Sequence, residues 1–217
     1  MSKTDERLRS WLDTNQLARE RLCQAILSLA SRFHEVRPRN PRGGPDGGRD
    51  LEAIFHDGRK VWAAIGFQNS VSDSPHNKKQ ASKKYHADLK RALEEKSDLK
   101  VFVFFCNVAL TAGEKSALAK HARKQGIEET DVFDRERIRI VLDSPEGLSI
   151  RFQYLDLELS SAEQSAFFAR WGSDIESLIL VLSIQWRRGY LALNSLWSAN
   201  GRRWGDRMRP NPEFKSR

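Results

Sequence analysis

The residues best suited to chemistry surround a glycine-rich turn, Gly43-Gly44-Pro45-Asp46-Gly47-Gly48-Arg49, which runs straight into Asp50-Leu51-Glu52-Ala53. Asp50 opens a strand-like run over 49–55. A second run over 60–68 follows across Asp57-Gly58, so the pair reads as a hairpin with a carboxylate near its open end. Glycines beside that acid let the backbone bend sharply and leave room for a large ligand or a metal ion. Glu52, two residues on, shares the strand face of Asp50 and is a second candidate ligand or a solvated strand residue. Asp50 itself reads equally as a turn-capping aspartate satisfying backbone amides. Arg49 is placed to contact phosphate or to pair with Asp46 or Asp50.

The elements that position these groups follow from periodicity. Leu22, Ile26, Leu29 and Phe33 give a first helix starting near Asn15, with Thr14 or Asn15 as its cap; a short piece around Arg9 to Leu12 precedes it. Pro38 and Pro41 end the helical run. A polar loop over 69–77 leads to a helix over 78–95 whose buried face is Ala81, Tyr85, Leu89 and Ala92. Val101-Phe102-Val103-Phe104-Phe105 is apolar on both faces, the pattern of a central strand covered on each side. Thr111 and Glu114 form a capping box for a helix ending near Gln125-Gly126. Asp131-Val132-Phe133-Asp134 reads as a further short strand, and Ser144-Pro145-Glu146 as the start of another helix. The order predicts an α/β fold, a mixed central sheet flanked by helices, over residues 1–157. From 158 to 217 the character changes to a helical, basic C-terminal extension. Ser160 and Glu163 form a second capping box there, and Phe167, Phe168, Trp171, Ile175, Leu178 and Ile179 support a helix.

The net charge of +8 over 217 residues is unevenly placed. Residues from Trp186 onward hold a surplus of six positive charges, the rest of the chain only two. A near-neutral body weakens the plain argument that a basic protein binds DNA. The lysines of the second long helix, Lys78, Lys79, Lys83 and Lys84 with Lys90 and Arg91, either track a nucleic-acid backbone or form the wet face of an amphipathic helix. None of the five histidines has metal-ligand spacing to another histidine or a cysteine, so no zinc site is expected. No apolar run approaches the roughly 20 residues needed to cross a bilayer. The N-terminal run is polar, and Cys23 and Cys106 lie far apart in apolar runs, which predicts buried thiols and a cytosolic location.

The run Gly-Gly-Pro-Asp-Gly-Gly-Arg-Asp after a helix and before a hairpin resembles the PD-(D/E)XK, or restriction-endonuclease-like, superfamily, with its Mrr-like branch the nearest match. The order of elements over roughly residues 15–135 is similar to that fold. The resemblance implies Mg²⁺- or Mn²⁺-dependent hydrolysis of DNA, in a setting of bacterial restriction or phage defence, with a sensor or partner protein attached or nearby. In such a site the ion neutralises the phosphate, generates hydroxide from bound water and stabilises the leaving oxygen. Asp50 matches the metal-binding aspartate, and Glu20 on the first helix matches the place of an extra metal-binding acid in some members.

The second strand departs from the pattern. The family carries an acid or glutamine followed two residues later by a lysine, whereas the chain reads Ala64-Ile65-Gly66-Phe67-Gln68-Asn69-Ser70. With Gln68 in the acid-or-glutamine position the lysine position is Ser70; with Gln68 in the lysine position Gly66 replaces the acid. A symmetric hairpin about Asp57-Gly58 sets Asp50 opposite Ile65 and turns Gln68 to the other face, and a one-residue bulge would bring it round. Lys78, Lys79 or Lys83 would then have to supply the amine. Two readings stay open. One is a metal-dependent DNA endonuclease using Asp50, Gln68 and Lys79, with Glu20 and Glu52 at the metal and Arg49, Lys78, Lys83 and Lys84 on nucleic acid. The other is a catalytically inactive module that keeps the scaffold to bind nucleic acid or a protein, or, more plainly, an interaction subunit whose α/β body only docks on a larger assembly. The tryptophans and arginines of the tail suit base stacking or a protein partner, a further copy of the chain included.

Overall fold

The computed structural model describes residues 2–11, 16–38, 50–180 and 182–184. The glycine-rich turn with Asp46 and Arg49, the Thr14 and Asn15 caps and the tryptophan-rich tail lie outside them. The chain divides into two compact units, Met1–Glu163 and Gln164–Arg217.

In the first unit α1 (Lys3–Arg9) and α2 (Gln16–Leu29) lead into β1 (Phe33–Pro38), β2 (Leu51–Phe55) and β3 (Lys60–Ile65). Then come α3 (Pro75–Glu95), β4 (Val101–Phe105), α4 (Ala112–Lys124), β5 (Glu129–Phe133), α5 (Arg135–Asp143) and α6 (Leu148–Leu155). The strands form one sheet in the order β1-β2-β3-β4-β5. β1, β2 and β3 pair antiparallel, whereas β4 runs parallel to both β3 and β5. The expected mixed sheet flanked by helices is therefore present, with the all-apolar β4 inside it. Because the strand order advances in one direction from β3 to β5, crossovers of constant hand lay α3 and α4 on the same face.

Each face has its own core. Leu51, Ala53, Val61, Ala63, Ile65, Val103 and Phe105 meet Leu8 of α1, Leu22, Cys23 and Ile26 of α2, Ile138 of α5 and Leu155 of α6. Trp62, Ala64, Phe102, Phe104 and Val132 meet Ala81, Tyr85 and Leu89 of α3 and Leu118 and Ala122 of α4. The period-two alternation of β4 feeds both cores at once, Val101, Val103 and Phe105 to the α2 side and Phe102 and Phe104 to the α3 side.

Several expectations need correction. α2 ends at Leu29, and Phe33, expected on its stripe, opens edge strand β1. A register shift between His34 and Arg37, with Glu35 at φ 51°, breaks the alternation that would have marked this strand. Ser144-Pro145-Glu146 does not start a helix: Ser144 closes α5, its Oγ donating to the Val141 carbonyl at 2.8 Å, and α6 starts at Leu148. α3 starts at Pro75, three residues earlier than expected, because Ser74 caps it by accepting from the Asn77 N–H. Both capping boxes are present: Thr111 with Glu114, and Ser160 with Glu163, the second opening a helix over 161–180. Among the described residues no helix is long and apolar enough to cross a membrane.

The fully buried Asn107 welds these layers. Its Oδ1 accepts from the Gln68 N–H at 2.9 Å and its Nδ2 donates to the carbonyls of Gln68 at 2.7 Å and Leu8 at 3.1 Å. Asn107→Ala strands these backbone groups in the core, and a loss of about 1–3 kcal/mol in urea unfolding is expected. A change below about 0.5 kcal/mol would mean water replaces the amide.

Candidate functional site

The site begins with the hairpin turn. Phe55 N–H donates to the Arg59 carbonyl at 2.8 Å and Gly58 N–H to the Phe55 carbonyl at 2.8 Å. Gly58 sits at φ 89°, a left-handed conformation that glycine adopts without strain. The connection is thus a three-residue loop over 56–58, not the symmetric two-residue turn. Leu51 pairs with Ala63 and Ala53 with Val61, one residue out of the expected register.

Asp50 N–H also reaches the Ala63 carbonyl, at 2.8 Å, so two residues stand opposite one at the mouth of the hairpin. That is the count of a β-bulge, which rotates a side chain out of alternation and onto the face of its neighbour Leu51. The Asp50 carboxylate accordingly lies on the α2 side, where its Oδ2 accepts from the Ile65 N–H at 2.6 Å. It also acts on Cys23 of α2. Burial lifts the thiol pKa well above its ordinary value, and the negative charges of Asp50 and Glu20 lift it further, against Arg19. Glu20 is buried. Of the expected acids, Asp50 and Glu20 are brought to one side of the sheet.

Glu52 is not with them. It keeps the alternation Asp50 has left and lines a groove with Trp62, Lys60, Lys96 and Glu35, within 3.7 Å of Arg37. Gln68 is committed elsewhere: its Nε2 donates to the Asn77 carbonyl at 2.9 Å and its Oε1 accepts from the Asn77 side chain at 3.0 Å. This amide pair clamps the start of α3. The helix lysines belong to the opposite face: Lys78 pairs with Glu114 at 3.0 Å, Lys84 with Asp88 at 3.0 Å, and Lys79 and Lys83 are exposed along α3.

On the Asp50 side stand Val61, Ala63 and Ile65 of β3 and, just beyond it, Phe67, all buried in the apolar core. Gly66 faces away: a Cβ there would stand 2.4 Å from the Phe104 ring and 3.1 Å from Lys84 Cγ, under α3. The positions that would carry the family's acid and lysine beside Asp50 are hydrocarbon. Among the described residues no three His, Cys, Asp or Glu side chains are arranged to hold a metal ion. Among the described residues a Mg²⁺ centre does not fit this donor set, because the Asp50 carboxylate already accepts from the Ile65 N–H and the strand residues beside it offer no oxygen ligand.

Two features escaped the sequence reading. One is a cleft of about 530 Å³ between α3 and α4, lined by Lys78, Lys79, Ser82, His86, Glu114 and His121. Burial, and then the neighbouring His121, hold the His86 imidazole below its ordinary pKa. The other is charge segregation: α3 and α4 together carry ten basic and four acidic residues. Counting charge helix by helix would have exposed the second; the first needs the topology that sets residues 35 apart side by side. A comparison with family models and with curated proteins finds no match to the chain.

Proposed function

We propose that the chain is a nucleic-acid-binding module on a nuclease-like scaffold that has lost its cutting site. The observation that carries the binding is the basic layer formed by α3 and α4, on a body that is otherwise slightly acidic up to residue 185. Averaging over the chain hides this layer, whereas a polyanion meets only the face presented to it. Lys84 and Arg91 share Asp88, and Lys78 and Lys90 pair with Glu114 and Glu94. Lys79 and Lys83 are the exposed cations of α3 with no ion pair among the described residues, and they are the first candidates for phosphate contact. The absence of chemistry is supported by the apolar Ala63, Ile65 and Phe67 beside Asp50.

The test is anisotropy of a labelled duplex and of a single strand over a salt series. Lys79→Gln with Lys83→Gln is expected to weaken binding for all sequences alike and to flatten the log–log salt slope by about two. In parallel, the wild type and Asp50→Ala are incubated with linear and circular DNA in Mg²⁺ or Mn²⁺. No cleavage by either protein is expected. Cleavage by the wild type that disappears in Asp50→Ala would restore the endonuclease reading, and salt-insensitive or absent retention would remove the nucleic-acid partner.

A further inference from the structure

We infer that His86 and His121 form a two-histidine site for a late first-row divalent cation, Zn²⁺ or Cu²⁺, across the α3–α4 seam. The ring centroids are 4.2 Å apart with planes inclined at 48°. Two imidazoles sharing a tetrahedral ion through M–N bonds of about 2.0–2.1 Å place their centroids about 5 Å apart, so the pair must open by roughly 1 Å and turn one nitrogen of each ring to the ion. Both residues are half-buried and border the open cleft, so an ion reaches them without unfolding either helix. Among the described residues neither imidazole is hydrogen-bonded to the protein, which leaves ring lone pairs for a ligand.

The surrounding charges decide whether a cation is tolerated there. Lys78 is paired with Glu114 and Lys90 with Glu94, and all four line the same seam. Their positive charges are thus offset locally, leaving Lys79 as the cation facing the cleft. Imidazole selects zinc and copper over magnesium, which prefers oxygen ligands, so the site is distinct in chemistry from any carboxylate centre at Asp50. With two protein ligands the ion keeps water in its remaining positions. The residues are too far apart in sequence to show ligand spacing; only packing α3 against α4 joins them. The site does not depend on the nucleic-acid reading.

The experiment is calorimetric titration of the intact protein with Zn²⁺ and with Mg²⁺, alongside His86→Ala, His121→Ala and, as a control, His76→Ala on the exposed first turn of α3. One Zn²⁺ per chain is expected, with affinity reduced at least about tenfold in each of the first two variants, unchanged in the third, and no Mg²⁺ uptake at the seam. Electron paramagnetic resonance of the Cu²⁺-loaded protein should show two coordinated nitrogens, falling to one in either variant. Circular dichroism and the retained nitrogen signal separate loss of a ligand from loss of the fold. Zn²⁺ binding that is absent in the wild type, or that survives both substitutions, would overturn the site.

Discussion

Replacing Arg135 with methionine is expected to destabilise the first unit by about 3–5 kcal/mol, because Asp5 and Asp73 lose their buried cation and keep the more exposed Arg9. Arg135 is 4% exposed. Its Nε donates to Asp5 Oδ1 at 2.7 Å, one terminal nitrogen to Asp73 Oδ1 at 2.6 Å and the other to Asp73 Oδ2. Arg9 completes the cluster from α1, reaching Asp5 at 3.1 Å and Asp73 at 2.9 Å. The Ala109 N–H also donates to Asp73, at 2.9 Å. One guanidinium therefore ties α1, the loop before α3, the loop after β4 and the start of α5. Urea unfolding should show a lower midpoint at an unchanged slope, and a loss smaller than about 1 kcal/mol would mean that Arg9 alone holds both acids.

The same cluster fixes the direction of the pH dependence. Burial by itself would raise the Asp73 carboxyl pKa. The hydrogen bonds from Arg135 and Ala109 and the charges of Arg135 and Arg9 outweigh burial and hold it below its ordinary value of 3.8. A folded-state pKa depressed in this way contributes stability above the unfolded value and loses it as pH falls through the folded one. The gap between wild type and Arg135→Met should therefore be flat above about pH 5 and narrow below about pH 4. A gap that widens on acidification would assign the stabilisation to other groups.

What the sequence makes legible here is what repeats. β2, β3 and β4 show in runs of apolar residues, α3 and α4 in their stripes and caps, and these already imply a mixed sheet between helical layers. What stays hidden is single-residue geometry. β1 is masked by one residue at positive φ, and α5 by a strand signal that runs into its own N-cap, Asp134. The hairpin register turns on whether the loop holds two residues or three, a difference of one hydrogen bond. The candidate site inherits that sensitivity. Asp50 was identifiable, but the face it occupies depends on a bulge at Leu51, and the bulge separates it from Glu52 and sets it beside Glu20 and Cys23. Gln68 was identifiable as polar at a strand end. Its partner Asn77 comes from the loop-to-helix junction, which no local pattern links to it.

Gly66→Glu, which writes an acid just beyond β3, is expected to be strongly destabilising. Even Gly66→Ala should lose about 1–3 kcal/mol, since the new Cβ would lie 2.4 Å from Phe104 Cζ in a core with no slack. Phe104 is fully buried and makes an edge contact with Tyr85 at 5.3 Å, so its ring has nowhere to retreat. Glutamate adds a carboxylate aimed at aromatic carbon, and the nearest amine, that of Lys84, is held by Asp88 at 3.0 Å. Gly113→Ala is the control: it sits in α4 with nothing nearer than 4.0 Å to its added Cβ, and it should stabilise by about 0.5–1 kcal/mol. Thermal unfolding of the three variants reads the order directly. If the clash is the cause, Phe104→Ala will recover part of the Gly66→Glu loss, so that the double variant is more stable than the sum of the two single losses. A Gly66→Glu protein as stable as wild type would mean that this strand end can turn its residue 66 away from Phe104 and toward Asp50.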